Sequence, residues 1–128
     1  MTTKKKLVER RQQKRFQARD GAYVALKPSD AEGGRLINIS MSGLMFEYLT
    51  DQASSIEATE LDILLVDGAF ELSHVPCQRI WDLPTYELIP TSPLHKRRCR
   101  VEFGELTQSQ KAQLEKFIQD HTTGEVEA

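Results

Sequence analysis

From Gly21 onward the chain is cut into short β-like runs separated by turn signals, and this punctuation constrains the fold more than any other feature. In "AYVALKP" Tyr23 and Ala25 alternate with Val24 and Leu26 before Pro28 closes the run. "SDAEGG" reads as a turn, "RLINIS" and "GLMFEYL" as strands broken by "MSG". "TELDILLV" ends at "DG", a hairpin signal between two extended runs. "AFELSHVPCQRIW" is a long return strand with a bend expected at Pro76, since proline cannot donate to a ladder. "TYELIP" is a further short strand. In "RRCRVEFGE", Cys99, Val101 and Phe103 alternate with Arg98, Arg100 and Glu102, the mark of a half-buried strand.

The period then changes. Leu114, Phe117, Ile118 and His121 fall on one helical stripe, and Thr107 with Gln110 forms a capping box, so a helix is expected over about 107–121. Six or seven short strands followed by one amphipathic helix predict a mainly β protein: a small antiparallel barrel that closes its own edges, with the helix over one opening or flank. The expected organisation is a basic N-terminal arm (1–20), a barrel with its helix (21–121) and a polar tail (122–128).

Charge is unevenly spread. Residues 1–20 carry eight basic and two acidic side chains, whereas the remaining 108 carry nine and 17. A flexible cationic arm ahead of an acidic body suggests an anionic partner, or an arm resting on its own domain. Cys77 and Cys99 lie outside any CxxC and no His stands at ligand spacing, so both read as reduced packing residues, with no metal expected. No stretch approaches the ~20 apolar residues of a membrane span, and the N-terminus lacks the apolar run of a signal peptide. A cytoplasmic protein is expected. His74, His95 and His121 are scattered and no carboxylates are paired for acid–base work, so an enzyme is not expected. Tyr23, Phe46, Tyr48, Phe70 and Trp81 form no stacking row of the kind that binds single-stranded nucleic acid, and nucleic acid is not the expected partner.

Two segments remain. Arg11 and Arg15 are four apart, a spacing at which guanidinium groups share a face, and such groups pair with phosphate and stack on purines. In "NISMSG", Asn38 and Ser40 project from one strand face with Ile39 pointing into the core, and Gly43 permits a sharp turn or a close approach. Asn and Ser can read base edges by hydrogen bonds. Arg11-x-x-x-Arg15 and, 23 residues after Arg15, Asn38-x-Ser40-x-x-Gly43 resemble the signature of the PilZ domain family, RxxxR followed by (D/N)x(S/A)xxG. The resemblance covers about residues 9–121 and includes "RFQARDGAYVAL" and "RRCRVEFGELT" as the opening and closing strands.

The resemblance implies a bacterial β-barrel of split or Greek-key type that binds the second messenger cyclic di-GMP. It assigns phosphate gripping and guanine stacking to Arg11 and Arg15, and guanine edges to Asn38 and Ser40, with Gly43 keeping the path clear. Arg10 ahead of the motif resembles members that take an intercalated ligand dimer. Arg98 and Arg100 extend the basic surface or are simply solvated strand residues. The expected output is closure of the arm over the barrel and a signal to an unnamed downstream protein, with no further cofactor. The alternative is a PilZ-fold interaction module indifferent to cyclic di-GMP.

Overall fold

The computed structural model describes residues 14–27, 33–50, 59–85 and 95–126. Its elements are β1 (Phe16–Ala18), β2 (Ala22–Lys27), β3 (Gly33–Ile39), β4 (Gly43–Thr50), β5 (Glu60–Leu65), β6 (Glu71–Pro84), β7 (His95–Phe103), α1 (Gln108–Asp120) and β8 (Thr122–Glu125). The sheet order is β2-β5-β6-β7-β4-β3-β1-β8, and β2 also pairs with β3. That extra pairing closes six strands into an antiparallel barrel and leaves β1 and β8 as an extension beyond β3. The expected small barrel with a C-terminal helix is the fold observed.

Alternation along the strands builds the core. Val24 and Leu26, Leu61 and Ile63, Leu44 and Phe46, and Cys99 and Val101 are buried from facing strands, while their neighbours in sequence point to the outside of the wall. Leu114 and Phe117 of α1 complete this core, and Phe70 packs on it. Thr107 caps the helix as expected: its hydroxyl accepts from Gln110 N–H at 3.0 Å, and the Gln110 side chain accepts from Thr107 N–H at 3.0 Å. His121, at the helix C-terminus, packs tilted against Phe117 and Phe70, with ring centroids 5.6 Å and 5.9 Å away. The Asp67-Gly68 turn joins β5 to β6, with Gly68 at φ 78° and Asp67 Oδ1 accepting from Ala69 N–H at 2.9 Å.

Several details depart from the sequence reading. Pro76 stays paired opposite Glu60, and the strand is irregular instead between Arg79 and Trp81 and at Ser73–His74, where His74 adopts φ 59° and its N–H donates to Asp62 Oδ1 at 3.0 Å. The barrel interior is not wholly apolar: Arg97 donates from Nε to Asp82 Oδ1 at 2.7 Å, and the Tyr48 hydroxyl donates to Asp82 at 2.5 Å. The arm is not separate throughout, because Phe16–Ala18 are a strand of the sheet. Nor are residues 122–128 only a tail, because Thr122–Glu125 pair antiparallel with β1. Backbone hydrogen bonding to an open edge supplies there what apolar side chains do not. The expected strand at "TYELIP" lies mostly outside the described residues.

Candidate functional site

β1 brings the two halves of the sequence motif together. Phe16 pairs with Ile39 and Gln17 with Asn38. Arg15 directly precedes β1, so its backbone adjoins the Phe16–Ile39 pair. Arg10 and Arg11 lie outside the described residues.

The direction in which Asn38 points depends on a bulge. Leu36 pairs with Phe46, but Asn38 pairs with Met45, so Ile37 is surplus to the ladder. After it, Ile39 opposes Leu44 inside the barrel, and Asn38 faces outward in a row with Gln17 of β1, Met45 of β4, Arg100 of β7 and Trp81 of β6. Yet Asn38 is only 6% exposed. Its Oδ1 is fully covered and accepts no hydrogen bond among the described residues. A buried carbonyl oxygen without a donor is costly unless something else supplies one.

Ser40 does not lie open on an external patch as expected; it is 2% exposed. Its hydroxyl builds the turn instead. Ser42 N–H donates to Ser40 Oγ at 3.1 Å, the two serine hydroxyls are 3.1 Å apart, and Ser40 N–H donates to the Gly43 carbonyl at 2.8 Å. Such local side-chain bonding is what short hydroxylic residues do at strand ends, and it outcompetes projection from the sheet. At Gly43 the close approach is internal. A Cβ there would stand 2.3 Å from the Val101 carbonyl oxygen, so the glycine lets β4 and β7 meet.

The two later arginines separate. Arg98 is committed to Glu47: its Nε donates to Glu47 Oε2 at 3.1 Å, and its Nη2 donates to the same oxygen. Arg35 Nη2 donates to Glu47 Oε1 at 3.0 Å, and Lys96 Nζ stands 3.5 Å away. The Glu47 side chain is 5% exposed. Burial alone would raise its pKa, but the hydrogen bonds from Arg98 and Arg35 and the charges of Arg98 and Lys96 hold it below the ordinary 4.5. Arg98 therefore steadies the barrel wall. Arg100 lies in the outward row between Met45 and Trp81. Gln17, Met45 and Trp81 were not singled out from sequence as site residues; only strand pairing places them beside Asn38.

Among the described residues, no cluster of three or more His, Cys, Asp or Glu side chains could hold a metal ion, and no helix is long and apolar enough to cross a membrane. Among the described residues the outward row presents an acceptor without a donor at Asn38, a guanidinium at Arg100 and an indole at Trp81.

The sequence matches the model of the PilZ domain over residues 9–120. The chain belongs to the PilZ domain family. A solved structure described as the PilZ domain with c-di-GMP of YcgR from Escherichia coli shares the fold, with a TM-score of 0.66 at 15% identity over 88% of this chain and 91% of that one. No curated protein matches the sequence significantly. The PilZ match spans both motif halves, and the β1–β3 pairing explains how segments 23 residues apart come to adjoin.

Proposed function

We propose that this PilZ domain is a receptor for cyclic di-GMP. The observation that carries the reading is the covered, donorless Oδ1 of Asn38 one strand away from Arg15. Guanine offers N1–H and N2–H donors on one edge, which is what a lone amide carbonyl lacks. Arg15, with Arg10 and Arg11 preceding it, supplies guanidinium groups for the phosphates and for stacking on the purine faces. Ser40 and Gly43 act by holding the turn that sets the strand end, and Arg100 and Trp81 extend the platform. The solved structure described as a PilZ domain with c-di-GMP supports the same ligand class. Arg10 makes two stacked ligand molecules the expected stoichiometry.

Ligand phosphates would draw Arg10 and Arg11 toward the row, where Arg15 already stands, through charge-assisted hydrogen bonds at about 1.5–3 kcal/mol each. The altered surface is what a downstream protein reads. Ile80 and Leu83 on β6, 49% and 56% exposed, lie on either side of Trp81 and offer that partner apolar contact.

Titration calorimetry with cyclic di-GMP tests the reading, with Trp81, the single tryptophan, as an independent fluorescence reporter. Micromolar or tighter binding by the wild type, lost in Arg15→Ala and Asn38→Ala, is expected. Absence of heat and of any change in emission with wild-type protein would reject it.

A further inference from the structure

β1 is only three residues long, too short to hold itself against β3, yet it is flanked on its other side by β8. Phe16 pairs with Glu125, Gln17 with Gly124 and Ala18 with Thr122. Val126 N–H donates to the carbonyl oxygen of Arg15 at 2.8 Å, and the Thr123 hydroxyl donates to the Gln17 carbonyl at 3.4 Å. Lys14 and Glu125 stand 3.9 Å apart, but both are well exposed, so this pair adds little. The C-terminal strand thus grips the backbone of the binding arginine itself.

β8 gives almost nothing to the core: none of its four residues is buried. It is anchored at its start, where the Thr122 hydroxyl donates to the Ile118 carbonyl at 2.7 Å at the end of α1. A strand that packs no core and bonds the segment beside Asn38 contributes to the site rather than to the barrel. Accepting the cyclic di-GMP reading, we infer that residues 123–126 are a positioning strap. They hold β1 in register so that Arg15 is presented beside Asn38 before ligand arrives, and Val126 is the residue whose backbone fixes Arg15.

If β1 leaves that register, the competent fraction falls and apparent affinity falls with it in proportion. A chain ending at Thr122, and the full chain with Val126→Pro, which removes the N–H donor, are expected to bind cyclic di-GMP about tenfold or more weakly. Val126→Ala keeps the donor and is expected to bind as wild type does. The melting temperature without ligand is expected to stay within about 3 °C in all three, because no core residue is lost. Hydrogen exchange of the Phe16–Ala18 amides, followed without ligand, is expected to quicken in the shortened chain and in Val126→Pro alone. Unchanged exchange there overturns the strap whether or not ligand binds. Equal affinity of wild type and shortened chain also overturns it. If the wild type binds no cyclic di-GMP, the receptor reading falls, and the exchange result still decides whether β8 holds β1.

Discussion

Replacing Gly43 with alanine tests whether the motif glycine serves the ligand or the barrel. The added Cβ would lie 2.3 Å from the Val101 carbonyl oxygen and 3.2 Å from the Glu102 Cα, both main-chain atoms that no rotamer change can move. Real Cβ contacts stay beyond 3.0 Å, so β4 and β7 would have to part by about 0.7 Å. That displacement falls where Phe103 N–H donates to the Ser42 carbonyl and Ser40 N–H to the Gly43 carbonyl, both at 2.8 Å. Overpacking costs about 1–3 kcal/mol, and weakening one or two of these bonds adds roughly 0.5–1.5 kcal/mol each. Lower entropy of the unfolded chain returns about 0.4–1 kcal/mol. The net expectation is a loss of about 2–3 kcal/mol, or roughly 7–11 °C in melting temperature for a domain of this length. Urea denaturation read by far-UV circular dichroism, alongside calorimetric melting, measures it. A loss below about 0.5 kcal/mol with a large fall in ligand affinity would refute the argument, because Gly43 would then be clearing a path for ligand rather than for β7.

Asn38→Leu removes the covered acceptor and keeps the volume, so the ligand-free domain is expected to gain about 1 kcal/mol in urea denaturation while cyclic di-GMP affinity falls ten- to a hundredfold. Glu47→Gln strips the charge that Arg35, Lys96 and Arg98 surround, with an expected cost of about 2 kcal/mol at pH 7 after allowing for their partial exposure. The pKa of Glu47 is lowered on folding, so its contribution is present above the unfolded value of 4.5 and is lost as pH falls through the folded value. The stability gap between wild type and Glu47→Gln should therefore narrow in acid and persist at neutrality. Burial pushes the thiol of Cys77 up to about 11 and that of Cys99 up to about 12, so neither should react with Ellman's reagent at pH 8 in the native protein, and both should react in urea.

Much of the fold was legible because its signals are local. Thr107 and Gln110 cap a helix within four residues, Asp67-Gly68 closes a hairpin, and Cys99 and Val101 alternate with Arg98 and Arg100. What escaped depends on residues distant in sequence. Arg97 turns into the barrel because Asp82, fifteen positions earlier, receives it there. Thr122–Glu125 carry no apolar pattern, and only the open edge of β1 makes them a strand. In the candidate site, the strand that follows Arg15 pairs with the strand that carries Asn38, a contact the motif spacing alone does not specify. The burial of Ser40 was not legible: its hydroxyl turns back on its own chain, a preference that alternation along a strand does not encode.

The surplus Ile37 divides the third strand into two independently indexed lengths. The upstream length takes its alignment from Tyr23 and Glu47, the downstream length from Gln17 and Met45. Deleting Ile37 would mend the ladder and still leave the Asn38 amide opposite Met45. Residue counts between the arginines and the asparagine are thus an elastic ruler here: the chain can shorten by one at this point without swinging the amide to the other side of the wall.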